Sequence, residues 1–460
     1  MKKIFSIFLI ILLLCPAVLA DGMVHIYDRD MWNLASENQQ LAAINYKDGF
    51  ENMLISIGLN DDIHGEKAVW MFPVPANPDD VVIDILKGFP LLQGKDIDTV
   101  YNTAVGVSGL FMAGYSTFPL GSLVALPFIF VGQMRTFSSG AKMEAASAEL
   151  NGVTVYETIN KMGLTTELIT AKSQSSLTQY LQNKGLDLPE NSKEVLNYYV
   201  GKNYSFVVSY ISNFEQFKNE SRMNSYSYRG IPLGVFVKFP TDKIYFPLKP
   251  TSVYESQQIP ILIYVMGHVT PELYPKIKSL TEITYYKEDY FYPSSALAPF
   301  FNIQNDDSSS PNNVEYTKIK ITAPSKYFAD DLWIKNSAPA SVGFKNFFAT
   351  YAVVFRIILF IVLSMLASLL AGLVSFRKEP VPKKRLMLHG LWNCLTSIGF
   401  IIATVFMKTR EIDPRIQAEL KARGLDVTSR DKRKILYVFL FYVFFIALVI
   451  TSSLLLVYAL

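Results

Sequence analysis

Ser139 and Lys142 stand in S-x-x-K spacing, the arrangement in which a lysine can take the proton of a serine nucleophile. The stretch around them is rich in serine and alanine, so chance accounts for this spacing more readily than catalysis does. Four histidines, His25, His64, His268 and His389, include no pair at helical ligand spacing and no H-E-x-x-H, which argues against a zinc site. The turn Asn60 to Glu66 has the Asn, Asp and Gly of a calcium loop, yet Met71 occupies the place of the twelfth-position carboxylate. There is no G-x-S-x-G and no phosphate-binding glycine loop. The 2 cysteines, Cys15 and Cys394, leave the long stretch between them without a disulfide, a thiol nucleophile or a cysteine metal site. No catalytic, cofactor-binding or metal-ligating set emerges, and the reading leans away from an enzyme. The one positive pattern is aromatic. Tyr198, Tyr199, Tyr204 and Tyr210, then Tyr285, Tyr286, Tyr290 and Tyr292, could form a face that takes sugar, peptide or another envelope protein. Packing of alternate tyrosines along strands accounts for the same residues and is favoured.

The elements that would carry these residues divide by hydropathy. Residues 1–20 read as a signal peptide: Lys2-Lys3, an apolar run from Ile4 to Cys15, then Val18 and Ala20 ahead of Asp21. A retained anchor helix is the alternative. Three C-terminal segments have membrane length: 357–376, 386–407 and 435–458. The formal net charge of +3 hides a division. Residues 21–355 carry 26 Lys+Arg against 34 Asp+Glu, whereas 15 stand against 6 from Arg356 onward. The acidic balance of the large region makes nucleic acid an unsuitable partner, and the basic balance of the apolar end points to membrane lipid. If all three segments cross, the more basic loop, 408–434, falls on the same side as the large region, against the positive-inside tendency. A re-entrant 386–407, the most polar of the three with His389, Asn393, Cys394 and Thr396, would put both basic loops together. Three full spans are favoured, and helix packing explains those polar residues better than an ion pathway. Within 408–434, Asp413 and Pro414 open a short helix that stops at Gly424.

The segment 104–131 is apolar over a membrane's thickness but interrupted by Gly106, Gly109, Gly114, Pro119, Gly121 and Pro127. A membrane-associated hairpin, or packing on the C-terminal bundle, keeps the flanking regions on one side; a true span would separate them. Elsewhere short strands alternate with a few helices. The alternation Met53, Ile55, Ile57 and Leu59 predicts a strand, with a hairpin turn at Asn60-Asp61-Asp62 leading to a second strand at Ala68 to Val74. Asp79 caps an expected helix through Val82, Ile85 and Leu86 that closes at Gly88. Helices are expected around Leu177 to Leu181 and Val195 to Val200. Strands follow at 205–211, 233–239, 261–269, 283–286 and 316–321. The fold class read from this order is an extracytoplasmic α+β domain over 21–346, with mixed short strands and a few helices, followed by an α-helical membrane bundle.

Asp21-Gly22-Met23-Val24, the strand Leu41 to Tyr46, and Ala68-Val69-Trp70-Met71-Phe72-Pro73-Val74-Pro75 with Pro78 resemble the prokaryotic secreted family known as domain of unknown function 2330. The likeness resumes in the same order at Gly152 to Tyr156, Leu177 to Leu181, Asn183-Lys184-Gly185 with Leu188-Pro189, Phe239-Pro240-Thr241 and Tyr245-Phe246-Pro247-Leu248. It covers most of residues 21–333. The resemblance implies a secreted or membrane-anchored domain of unsettled biochemical role and supplies no site residues. Many members carry cysteines near the mature N-terminus and at most one anchor helix, and this chain departs from both patterns.

Together these features predict a multi-pass protein of the cell membrane with its large domain extracytoplasmic, acting as a binding or assembly module of the envelope. An envelope hydrolase and an accessory subunit of a membrane transport complex are the alternatives.

Overall fold

Strand β5 (Ala68–Val74) sets the layering of the sheet region, because both of its faces are buried. Trp70, Phe72 and Val74 enter one core while Val69 and Met71 enter another. A strand flanked on both sides by apolar layers must be apolar at every position, which is why this run shows no polar alternation. In the computed structural model, β5 pairs with β1 (Met23–Asp28) and with β11 (Ser205–Ile211), both antiparallel. The structure describes residues 23–28, 31–34, 40–57, 68–117, 148–150, 153–184, 190–222, 233–303, 312–377, 381–407, 418–419, 422 and 429–458. The chain is a mixed α/β protein, and its contacts divide it into two units. One comprises residues 1–96 with 138–339, and the other 97–137 with 340–460.

The first unit is built on two large sheets. Besides those strands, β2 (Met31–Leu34), β8 (Ala148–Leu150), β9 (Val153–Lys161) and β10 (Leu164–Ala171) complete a seven-stranded sheet in the order β2-β1-β5-β11-β10-β9-β8. The second sheet contains β3 (Gln40–Lys47), β4 (Phe50–Ile57), β6 (Val82–Lys87), β7 (Lys95–Asp96), β12 (Leu233–Pro240), β14 (Ile261–Met266), β16 (Thr281–Phe291) and β17 (Asn312–Ile321). Its order is β6-β12-β4-β3-β14-β17-β16-β7. Among the described strands of this sheet β3 and β14 pair in parallel and the other ladders are antiparallel. A small third sheet, β13 (Ile244–Phe246), β18 (Leu332–Lys335) and β15 (Thr270–Pro271), closes one side.

Face-to-face packing of the two large sheets forms the main core. Ile44, Ile55, Val235 and Ile263 come from one sheet, and Trp70, Phe72, Leu168 and Val207 from the other. Each such fully buried side chain contributes about 1.5–3 kcal/mol. The outer face of the seven-stranded sheet is covered by helices α2 (Gln174–Asn183) and α3 (Glu190–Asn197) through Leu177, Leu181 and Leu196. A further helix, Phe214–Arg222, follows β11.

Two expectations fail here. The stretch 82–87 is strand β6, preceded by a single 3-10 turn at Pro78–Asp80, and not a helix capped by Asp79. Alternation of Ile83 and Ile85 into the core outweighs the capping signal. Strands β4 and β5 do not form a hairpin, because β4 pairs with β3 and β12 while β5 lies in the other sheet. The turn at 60–67 lies outside the described residues, as do residues 1–22, Ser139, Lys142 and residues 118–131 of the apolar segment.

The second unit is helical. Among the described residues its members are α1 (Ile97–Thr117), a helix over Ala340–Thr350, and four C-terminal helices. The two long helices are Ala352–Ser375 and Ser429–Tyr458, and between them Lys383–Leu395 and Ser397–Val405 form two shorter helices. Numbered in chain order, the described helices of eight or more residues are α1, α2, α3, α4 (Phe214–Arg222), α5 (Ala340–Thr350), α6 (Ala352–Ser375), α7 (Lys383–Leu395), α8 (Ser397–Val405) and α9 (Ser429–Tyr458).

Helices α6 and α9 are long and apolar enough to cross a membrane. They run antiparallel, as Ser368 Oγ meets Tyr437 Oη at 2.5 Å and the rings of Phe360 and Phe445 meet at 5.5 Å. Their outward residues are large and apolar: Val354, Ile358, Phe439 and Leu455 are all more than half exposed, at 53%, 54%, 63% and 61%. An exposed apolar surface this extensive suits contact with another apolar phase or partner rather than water.

The 386–407 segment is not one straight helix. It breaks at Thr396, whose backbone is extended (φ −156°, ψ 149°) and whose Oγ1 accepts the N–H of Gly399 at 2.7 Å, capping α8. The halves fold back on each other, because His389 Nε2 meets Thr404 Oγ1 at 3.0 Å across the break. At 13 and 9 residues they rise about 20 and 14 Å, each short of the ~30 Å hydrocarbon core. The tip is pinned inside the unit. Asn393 Nδ2 donates to Ser116 Oγ of α1 and Ser364 Oγ of α6, both at 3.2 Å, and Tyr115 Oη donates to the carbonyl of Leu395 at 2.8 Å. Gly390 packs directly on the α6 backbone at Ser364 and Met365.

Candidate functional site

A cleft of about 580 Å³ opens on the sheet unit, lined by Pro75, Pro240, Thr241, Asp242, Lys243, Glu272 and Trp333. Each wall follows from local chain geometry. Pro75 sits where β5 ends, and the adjacent N–H of Ala76 bonds the Val74 carbonyl at 2.9 Å. The opposite wall is the turn after β12, closed by Thr241 Oγ1 donating to the Lys243 carbonyl at 2.6 Å. That turn is tied to the sheet by Thr241 N–H on the Gly49 carbonyl at 2.9 Å and Tyr46 Oη on the Thr241 carbonyl at 3.0 Å. The accepting Gly49 carbonyl belongs to the Asp48-Gly49 turn between β3 and β4, with φ of 54° and 81°, the two positive values that a tight two-residue hairpin needs.

The rim is charged. Glu272 accepts from Lys243 Nζ at 3.1 Å and lies 3.5 Å from Lys335 Nζ, and the Lys243 ammonium beside it lowers its pKa. The Glu272 N–H donates to the Trp333 carbonyl at 2.8 Å, so the carboxylate and the indole are held on one backbone frame.

Behind the indole lies a fully buried tyrosine. The Tyr245 and Trp333 rings are 5.0 Å apart, Tyr245 Oη donates to Asp331 Oδ2 at 3.0 Å, and its N–H donates to Glu51 Oε2 at 2.7 Å. Asp331 also accepts from Tyr199 Oη at 2.9 Å and from Lys249 N–H at 3.0 Å. Burial pushes the Asp331 carboxyl up to about 6 against the opposing pull of those donors, and burial pushes Glu51 well above the usual carboxylate range. The platform under Trp333 is thus fixed by hydrogen bonds whose donors and acceptors come from β4, β13, the segment before β18 and the turn after α3.

The tyrosines singled out in the sequence are split by the fold. Tyr199 is buried against Asp331, and Tyr204 stacks edge-on to it at 5.1 Å. Tyr198 is on the surface, with Lys202 and Lys249 ammonium groups 3.3 and 4.3 Å from its ring centre. Tyr210 lies in a second cluster, where Lys184 Nζ meets Glu167 Oε1 at 2.6 Å and Tyr180 also donates to that carboxylate. Of the other group, Tyr286 stacks on Tyr316 at 5.0 Å and Tyr285 packs on His268, while Tyr290 and Tyr292 are exposed. No continuous tyrosine face forms, and none of these residues lines the cleft.

The Glu167 cluster ties the end of α2 to the sheet. Lys184→Met should cost about 2 kcal/mol, because the buried carboxylate keeps its tyrosine donors but loses its counter-charge. Urea unfolding followed by circular dichroism measures it, and a cost below 0.5 kcal/mol would refute a structural role for the pair.

His268 bonds the Tyr286 carbonyl at 3.0 Å, and His389 lies in the helical unit. Among the described residues no three His, Cys, Asp or Glu side chains gather as a metal site. Trp333, Pro240 and Lys243 were not singled out as site residues. The only sequence signal for them is indirect: Pro75 and Pro240-Thr241 both lie in segments that carry the family resemblance, and the fold brings them to opposite walls of one cleft.

These features define a mixed α/β protein with two helices able to cross a membrane. No family model matches the chain, and no curated protein matches it. Among solved structures, the crystal structure of baculovirus P35 is similar at a TM-score of 0.24 and 10% identity, over 66% of this chain and 97% of that one. A likeness of that size carries no functional argument.

Proposed function

We propose that this chain is a membrane-anchored binding or assembly module of the cell envelope, multi-pass, with its sheet unit outside the cytoplasm and the Trp333 cleft as its binding place. The observation that carries this reading is the cleft itself: an indole on a hydrogen-bonded platform, between two prolines, with Lys243, Glu272 and Asp242 at the rim. A mixed lining, with an indole and two prolines beside charges of both signs, suits an extended peptide segment of another envelope protein, with the aromatic as anchor and the charges fixing register. The resemblance to domain of unknown function 2330 supports an envelope setting.

A photo-crosslinking residue at Thr241, irradiated in intact cells, tests this. The expected result is an adduct of defined mass with an envelope protein, lost at least tenfold in a Trp333→Ala background. Irradiation that yields no adduct, or one indifferent to Trp333→Ala, would remove the cleft from the proposal. Adducts with glycan alone would replace peptide by sugar as the ligand class.

A further inference from the structure

From Arg356 onward the chain has 15 Lys+Arg, and all but Arg356 itself fall in the stretches 377–385 and 408–434, together with all 6 Asp+Glu. Where those stretches lie depends on the path of the chain between them. Helix α7 runs back along α6, with Leu386 against Gly372 and Asn393 bonded to Ser364. Helix α8 then returns along α9, with Tyr442 Oη on the Ser397 carbonyl at 3.4 Å, Phe400 stacked on Phe441 at 4.0 Å and Lys434 Nζ on the Val405 carbonyl at 2.6 Å. The end of α6, the start of α7, the end of α8 and the start of α9 therefore share one end of the helical unit. The hairpin tip stops beside Ser364, the middle of α6. Helices α1 and α5 begin at the opposite end, where Lys345 pairs with Asp98 at 2.9 Å and Tyr101 Oη reaches the Leu456 carbonyl.

We infer that residues 383–405 are a re-entrant hairpin that enters and leaves the bilayer on one face, and that the cations it gathers there, Arg377, Lys383, Lys384, Arg385 and Lys432, bind the headgroups of anionic phospholipids. This rests on the membrane-anchor reading of the preceding subsection. All five cations are exposed. They are contiguous with lipid-type surface: Leu388 and Trp392, on the helix that Lys383 opens, are 49% and 48% exposed. Long basic side chains at that boundary lay their stems on the apolar face and hold their charge at headgroup depth. Helix α7 presents three cations in its first turn, next to the end of α6 and the start of α9. A nucleic acid or an acidic protein has no use for the apolar border, whereas a phospholipid uses both parts. The hairpin also removes the charge conflict of three straight spans, because the helix ends that flank both basic loops share one end of the unit.

The test uses the full chain with both cysteines replaced by serine and single cysteines at Ser341, Lys383 or Lys432, probed in intact cells with a membrane-impermeant maleimide. Ser341→Cys should label, while Lys383→Cys and Lys432→Cys label only after permeabilisation. The cysteine-free protein is then reconstituted in phosphatidylcholine vesicles containing equal fractions of brominated phosphatidylglycerol or brominated phosphatidylcholine, and Trp392 quenching is read. Quenching by the anionic lipid should report an association about fivefold stronger, falling within about twofold of parity in Lys383→Gln/Lys384→Gln/Arg385→Gln and at high salt. Labelling of Lys432→Cys in intact cells while Lys383→Cys stays protected would overturn the hairpin. Equal quenching by both lipids would overturn the headgroup surface and leave the anchor standing. Labelling of both loop cysteines but not Ser341→Cys would keep the hairpin and sink the extracytoplasmic orientation. Release of the chain from membranes by alkaline carbonate would sink the anchor reading and this inference with it.

Discussion

Gly390→Val should raise the reactivity of the Cys394 thiol about a hundredfold. A Cβ at position 390 would lie 3.0 Å from Met365 Cα and closer still to the Ser364 carbonyl oxygen. Both are backbone atoms of α6, so no rotamer change relieves the clash; α7 has to move off α6. Moving it breaks the bonds from Asn393 to Ser116 and Ser364, and leaves buried amide and hydroxyl groups without partners. A displaced close helix contact together with those lost bonds amounts to about 3 kcal/mol, which is about two decades in the population of the opened tip. Cys394, one turn further on and half-buried, reports that opening directly. The measurement is the rate of maleimide addition in detergent, with Gly343→Val as control, because a Cβ at Gly343 meets open space. A rate change below threefold would mean that the hairpin does not depend on this close approach.

The same hairpin marks where sequence reading stops. Hydropathy averaged over 386–407 sees one apolar length, and the break at Thr396 is a local matter of one extended residue and one capping hydroxyl. The bond between His389 and Thr404, which distinguishes a folded-back pair from a straight rod, joins residues whose spacing carries no periodic signal. The strands at 205–211, 233–239 and 316–321 were legible because β-branched and aromatic runs bounded by turn residues have few alternatives. Strand β6 was misread because Asp79 and Gly88 resemble helix ends, and only tertiary packing of Ile83 and Ile85 decides otherwise. Two tight hairpins carry a local turn signal. Asp48-Gly49 and Met162-Gly163 each place two positive φ angles between strands, and Asp-Gly is a direct signal for such a turn. The cleft was not legible, since Trp333 meets Pro75 and Pro240 only through sheet pairings between distant segments. Nor was the platform beneath it. Tyr199 and Tyr245 converge on Asp331 from 132 and 86 residues away.

That platform leads to the second large effect. Between pH 4 and pH 7 the protein should lose about 2.4 kcal/mol of stability through Asp331 alone. The carboxyl is raised from 3.8 to about 6 in the folded state, first by burial, so between those values the folded chain holds a proton that the unfolded chain has released. Stability therefore falls as pH rises through that window and is flat above it, the reverse of a salt-bridged carboxylate. The full shift is worth about 3 kcal/mol, and the part that falls between pH 4 and pH 7 is about 2.4 kcal/mol, because the unfolded carboxyl is still partly protonated at pH 4. Asp331→Asn has nothing to ionise at that position and keeps an amide oxygen for the Tyr199 and Tyr245 hydroxyls. Its stability should consequently fall less over the same range, by about that amount. Glu51 is raised in both proteins and drops out of the comparison. Urea unfolding of parent and variant in detergent at pH 4, 5, 6 and 7, followed by tryptophan fluorescence, gives the difference. Parallel pH profiles would mean that the three donors at Asp331 hold its carboxylate ionised despite burial, and the indole would then stand on a fixed negative charge. The distinction reaches the cleft. An Asp331 that protonates near pH 6 turns one of the two tyrosine bonds from accepted to donated, so the support of Trp333, and affinity for the proposed peptide with it, should differ most between pH 5 and pH 7.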